Sequence, residues 1–177
     1  MPSGVDRRPL FGLAAALLVA ADLASKALVE AAFDHGQAVP IAGDWLQLRL
    51  VYNPGAAFGL HLGPHSRWIF LAIALVALLV LWRMARATPS RDRFRHLALG
   101  LVAGGAAGNL VDRIRSPHGV VDFLDVGVGA LRWPTFNVAD IGVSCGAVAL
   151  AISLWLEDAR REGKDLGLRP EDAGLKD

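Results

Sequence analysis

The sequence holds one cysteine, Cys145, in 177 residues. No disulfide can therefore form within the chain, and no multi-cysteine metal cluster can be built. Histidine is also sparse. His35, His61, His65, His96 and His118 are scattered without ligand spacing, and each is expected at the surface; with only two methionines, no metal or haem site and no cofactor is expected. Charge is scarce at 20% of residues, against about 25% in an average soluble domain. The net charge of +1 removes any bulk electrostatic case for nucleic acid. What the chain has instead is apolar residues, 54% of the total, gathered into long runs. Mean hydropathy is +0.41. Neither a disordered chain nor a soluble domain fits that pattern.

Four runs are long enough to cross a bilayer, which takes about 20 residues. They are Leu10 to Phe33, Trp68 to Met84, Phe94 to Val111 and Val138 to Leu156. The third carries Gly100, Gly104 and Gly108 at four-residue spacing, a small face suited to close helix packing. That face is also expected to leave room for a guest helix. The organisation is one membrane domain, residues 1–157, followed by a charged tail, 158–177, expected to be disordered beyond a frayed helix. A cleaved secretory signal is disfavoured, because the first apolar run continues past Lys26 to Phe33.

Basic residues orient the bundle. Arg7, Arg8, five arginines between Arg83 and Arg95, and Arg160, Arg161, Lys164, Arg169 and Lys176 fall on one side. The other side holds Arg49, Arg67, Arg113, Arg115 and Arg132. Both termini are therefore expected in the cytoplasm. On the outer side, Leu46, Leu48 and Leu50 alternate as in a strand, and residues 119–128 are suited to pair with it in a small sheet.

Polar side chains in membrane spans are costly and need a reason. Asp22 and Lys26 lie four apart on one helix face and make an internal ion pair. Asn109, Asp112 and Arg113 end the third span; Asn137 and Asp140 open the fourth as N-cap and first-turn acid. At 1.5 Å per residue, Asp22 and Asn109 each lie roughly 18 Å along their spans, and Asp140 about 5 Å inside its own. All of these fall in the outer half of the bilayer, with Asn53 and Asp122 in the loops just above. The shared depth points to one polar pocket.

Several carboxylates without metal ligands suggest paired-acid chemistry. Two close aspartates share a proton; the charged one activates water and the neutral one polarises a carbonyl. The candidates are Asp112, Asp122, Asp125 and Asp140. Arg113 beside Asp112 is expected to keep that acid ionised. Asp122 and Asp125 point to opposite faces of an extended segment. Asp122 with Asp140 is the preferred pair, and spacing leaves Asp125 open. Nucleophile alternatives are poor: adjacent Ser25 and Lys26 do not face each other. Ser144 and Cys145 are expected deep in the fourth span, Cys145 as a buried filler. A proton-coupled exporter would place its acid near the midplane and often carry a repeat, and none is seen. A non-catalytic chaperone for lipidated partners would tolerate loss of the aspartates.

Five ordered blocks between Asp22 and Asp140 resemble the lipoprotein signal peptidases, or signal peptidase II, of bacterial inner membranes. They are Asp22-Leu23-Ala24-Ser25-Lys26, Asn53-Pro54-Gly55-Ala56-Ala57-Phe58, Gly104 through Arg113, Val121-Asp122-Phe123, and Phe136-Asn137-Val138-Ala139-Asp140. Leu23 stands where that family often has glutamine. The resemblance implies an all-α membrane protein, a bundle of four transmembrane helices with a small periplasmic β-cradle at 38–52 and 119–134. A short periplasmic helix is implied between Pro54 and Pro64. It also implies an aspartyl endopeptidase that cleaves diacylglyceryl-modified prolipoproteins just before the lipid-bearing cysteine. Asp122 and Asp140 would be catalytic. Asp22, Asn53, Asn109, Asp112, Arg113 and Asn137 would support the site, with Arg113 holding Asp112 or a developing negative charge. Membrane lipids and prolipoproteins are the implied partners, the cyclic peptide globomycin the implied inhibitor, and a monomer the expected state.

Overall fold

The structure is a computed structural model that describes residues 8–55 and 63–165. Four helices carry the bundle: α1 (Arg8–Ala32), α2 (Ser66–Ala87), α3 (Arg93–Arg115) and α4 (Val138–Asp165). All four are long and apolar enough to cross a membrane. The 22 residues of α2 alone extend about 33 Å, against a hydrocarbon core of roughly 30 Å. Each helix overruns its apolar run at one end or both. Hydropathy marks the hydrocarbon slab, whereas a helix continues until its backbone finds a cap. For α3 the start is set by Asp92, whose side chain accepts from Arg95 N at 2.9 Å. Its end is covered by Arg67, which donates to the carbonyls of Arg113 and Ile114. α4 runs on to Asp165, into the stretch expected as tail, and residues 166–177 lie outside the described residues.

Four strands form one antiparallel sheet in the order β1-β2-β3-β4: Ala38–Ala42, Leu46–Asn53, Val120–Val128 and Leu131–Arg132. The expected pairing of 46–52 with 119–128 is present, with Val51 opposite Asp122 and Asn53 opposite Val120. Leu50, Val121 and Phe123 pack on Val29 of α1, which seats the sheet on one end of the bundle. Gly119 makes the turn into β3 at φ 107°, where a Cβ would strike the Asn53 carbonyl. Of the helix expected between Pro54 and Pro64, a single 3₁₀ turn at Gly63–His65 is seen, and 56–62 lie outside the described residues.

Helix α3 is central and packs on α1, α2 and α4. Its glycine face is not an empty berth. A Cβ at Gly100 would lie 2.7 Å from Phe11 O, and one at Gly104 2.8 Å from Ala15 O. The backbone of α1 fills this face, which corrects the expectation of room for a guest helix. Close backbone approach is what small residues give when lipid tails supply no hydrophobic drive. A second correction concerns His96. It is fully buried at the start of α3 rather than exposed, because its Nδ1 donates to Asp92 O at 2.7 Å within the capped turn.

Gly104→Ala should therefore push α1 from α3 and destabilise the fold by about 1–3 kcal/mol, the usual range for overpacking. Gly12, where a Cβ meets nothing within 4 Å, should accept alanine. Thermal unfolding in detergent micelles compares the two; equal midpoints would refute this packing.

Candidate active site

The site is built outward from Lys26, which is completely buried. Its Nζ donates to Asp22 Oδ2 at 2.7 Å and Asn109 Oδ1 at 2.9 Å, and lies 2.8 Å from Asp112 Oδ2. Three acceptors match the three hydrogens of an ammonium group. The expected Asp22–Lys26 pair is thus real and larger than a pair. Asp22 Oδ1 also accepts from Ala139 N at 2.9 Å, so an acid on α1 covers a free N–H in the first turn of α4. Gly108 makes room for that carboxylate: a Cβ there would sit 2.5 Å from Asp22 Oδ2.

The hub fixes how the neighbouring amides point. Asn109 Oδ1 accepts from Lys26 and from Asn137 Nδ2 at 3.0 Å, which leaves Asn109 Nδ2 to donate to Asp140 Oδ1 at 2.8 Å. Asn137 is the N-cap of α4 in a reciprocal box. Its Oδ1 accepts from Asp140 N at 2.9 Å, while its own N donates to Asp140 Oδ2 at 3.2 Å. Asn137 Nδ2 is thereby turned toward Asp122 Oδ1, 2.7 Å away. Asn53 Nδ2 donates to the other oxygen, Asp122 Oδ2, at 3.1 Å. Both aspartates are therefore held by amide donors: Asn109 is oriented by the lysine, Asn137 by the α4 cap, and Asn53 by Gly55 N, which donates to its Oδ1.

Asp122 and Asp140 share a cavity of about 470 Å³. Asn53, Asn109 and Arg113 line it on the polar side. The Asp122 carboxyl is pushed up to about 7, first by burial and then by the Asp140 charge. Hydrogen bonds from Asn53 and Asn137 and the charge of Lys26 oppose that rise. Among the described residues no cluster of histidine, cysteine and carboxylate is placed to hold a metal ion.

The other sequence candidates divide cleanly. Asp22 and Asp112 stand behind the cavity wall in the lysine hub. Asp125 is buried but belongs elsewhere, 2.7 Å from Arg132 Nε in the β3–β4 hairpin. Arg113 does not hold Asp112, since successive helical residues diverge by about 100°. It donates instead to Asn109 O at 3.1 Å and Gly55 O at 2.8 Å, with its guanidinium over Phe70. Asp112 pairs with Lys26 and, at 3.1 Å, with Arg115. Sequence reasoning missed the largely apolar walls, Trp133 to Phe136 on one side and Ile141, Val143, Ser144 and Cys145 on the other. Cys145 is exposed on the cavity rather than a buried filler. Its spacing of four and five residues from Ile141 and Asp140 was the available signal.

Comparison with known proteins places this geometry. The family model for signal peptidase (SPase) II matches residues 14–156. A lipoprotein signal peptidase of Rhodococcus jostii is 42% identical over 152 residues, covering 83% of this chain and 73% of its own. One from Moorella thermoacetica is 37% identical over 155 residues, covering 88% and 98%. A solved bacterial membrane enzyme, determined by the in meso method at 2.3 Å resolution, superposes with a TM-score of 0.76 at 26% identity. That match covers 85% of this chain and 90% of the other.

Lys26→Met should strip buried Asp22 of its counter-charge and leave Asp112 only Arg115. Removing one partner of a buried pair costs about 3–5 kcal/mol. Unfolding in detergent should show that loss, and Lys26→Met combined with Asp22→Asn and Asp112→Asn should recover part of it. A triple variant no more stable than the single one would contradict the ionic account.

Proposed function

Because the chain belongs to the signal peptidase II family, we propose that it is an intramembrane aspartyl endopeptidase. Its substrates are diacylglyceryl-modified prolipoproteins, cut just before the lipid-bearing cysteine. The observation that carries this reading is the pair of carboxylates, Asp122 and Asp140, on one cavity with no metal-binding cluster beside them among the described residues.

The roles follow from the environment. Asp122 holds the shared proton, as its upward displacement by burial and by Asp140 favours. Ionised Asp140 takes a proton from a water molecule while that water's oxygen attacks the scissile carbonyl carbon. Asp122 passes its proton to the carbonyl oxygen as the tetrahedral intermediate forms. When the intermediate collapses, the C–N bond breaks, the proton held by Asp140 goes to the leaving nitrogen, and Asp122 regains its own. One water is consumed, and the dyad returns with one proton. Arg113 supplies fixed positive charge at the cavity edge.

The distribution of basic residues supports an inner-membrane enzyme with both termini cytoplasmic and the cavity near the periplasmic face. In that setting the apolar signal segment and the acyl chains of the substrate both stay in lipid. Globomycin would occupy the cavity as a non-cleavable guest, and the working unit is a monomer in contact with membrane lipid.

Gel-shift cleavage of a diacylglyceryl-modified prolipoprotein tests the reading. Wild type should cleave, Asp122→Asn and Asp140→Asn should lose about 10²–10⁴-fold or more, as for loss of an acid–base group, and Asp125→Asn should retain activity. Cleavage by either dyad variant at the wild-type rate would refute the pair. The pH profile adds a sign. Since the reaction needs neutral Asp122, kcat/KM should fall as pH rises through about 7. Asn53 donates to the Asp122 carboxylate and so favours its charged form. Asn53→Ala should therefore move the alkaline limb to higher pH; a limb that stays or moves down would exclude that role.

A further inference from the structure

Among the described residues, helix α2 gives no side chain to the lining of the cavity that holds Asp122 and Asp140. Two of its side chains nevertheless hold Arg113, the cation that does line it. Arg67, in the first turn of α2, donates from Nε to Arg113 O and from a terminal nitrogen to Ile114 O at 2.9 Å. Phe70, three residues on and on the same helix face, lies under the Arg113 guanidinium at 5.7 Å. Water can serve the last carbonyls of a helix at an exposed end. Arg67 is instead half-buried, and it takes the carbonyl of the residue whose side chain reaches the cavity. From Arg113 the contacts continue to the dyad. Its guanidinium donates to Gly55 O at 2.8 Å. Gly55 N donates to Asn53 Oδ1 at 3.0 Å, which closes an Asx turn. With Oδ1 so engaged, Asn53 Nδ2 is turned to Asp122 Oδ2, 3.1 Å away.

Resting on the peptidase reading above, we propose that Arg67 is a positioning residue for the reaction. With Phe70 it sets the Arg113 guanidinium, which through Gly55 aims the Asn53 amide at Asp122. The physical reason is that a long side chain points reliably only when both its root and its head are held. The two bonds from Arg67 fix the backbone from which Arg113 springs. The Phe70 ring fixes the plane of its head group. Gly55 is then gripped at its carbonyl by Arg113 and at its N–H by Asn53, so the turn that carries Asn53 cannot rotate without breaking one of these bonds.

The alkaline limb of kcat/KM for prolipoprotein cleavage separates this role from simple capping. The charged groups facing Asp122 are Asp140 on α4, Lys26 on α1 and Arg113 on α3. Arg67→Gln and Phe70→Leu leave all three in the chain. A loosened Asn53 amide supports the Asp122 carboxylate less, so both variants should move the limb to higher pH. Arg67→Gln should move it by about 0.5 unit, a fraction of the roughly one to two units that a hydrogen bond to a charged group is worth. Phe70→Leu should move it by less. In the Asn53→Ala background neither should move it further, because the amide they aim is gone. Arg86→Gln, which removes a cation near the other end of α2, should leave it at the wild-type position. A limb unmoved in Arg67→Gln and Phe70→Leu, with each unfolding cooperatively in detergent, would leave Arg67 a capping role alone and overturn the proposal. So would a shift that persists in full beside Asn53→Ala, the mark of a direct charge effect. Should Arg67→Gln fail to fold, Phe70→Leu decides alone, since it keeps the α3 cap. Failure of the peptidase reading is separate: wild type would then not cleave the prolipoprotein at all, and there would be no limb to move.

Discussion

A charge removed from water must find its compensation inside the protein, and here Lys26 supplies it. One ammonium group with three hydrogens meets acceptors from Asp22, Asn109 and Asp112, and so joins two points of α3 to α1. Through Asp22 it also reaches the first turn of α4. These contacts and the α4 cap decide which way two asparagines face. Asn109 has its carbonyl taken by Lys26 and Asn137, so its amino group turns to Asp140. Asn137 has its carbonyl taken by the backbone of Asp140, so its amino group turns to Asp122. The arrangement that stabilises the bundle is therefore the one that aims the donors at the dyad.

The packing around this hub explains why a peptidase site can sit at the edge of a helix bundle. Glycine and alanine let α3 press against α1 on one face and α4 on another, bringing Gly105 and Ala139 into backbone contact. The sheet then lowers Asp122 onto the start of α4 through Val121 and Phe123, with Phe123 and Leu124 bonded to Phe136. One carboxylate arrives on a strand and the other on a helix, so each is fixed by a separate element. On the α4 side the cavity is walled by Ile141, Val143, Ser144 and Cys145.

Much of this was legible in the sequence. The four spans followed from hydropathy, and the polar residues found at one depth are the ones gathered at the site. The Asp22–Lys26 pair and the Asn137 cap were local, at spacings of four and three residues, and local spacing was enough to read them. Long-range partners were not. Of the two roles expected for Arg113, holding Asp112 or a developing negative charge, the first rested on adjacency in sequence, whereas its partners, the Asn109 and Gly55 carbonyls, depend on a turn of helix and on a loop 58 residues away. The glycine face was rightly read as a packing surface, but nothing in one sequence says which helix fills it. His96 went astray because a polar side chain near a helix start looks exposed until its cap bond is known.

The claim on which the chemistry rests is that Asp122 is neutral because it is buried beside a charged Asp140. Carboxyl-carbon NMR of selectively labelled aspartate, titrated across neutrality in wild type and in Asp140→Asn, observes that proton directly. The account expects Asp122 to titrate at about 7 in wild type and clearly lower in Asp140→Asn, where the Asp140 charge no longer raises it. A wild-type midpoint in the ordinary carboxylate range, or one unmoved by Asp140→Asn, would contradict it.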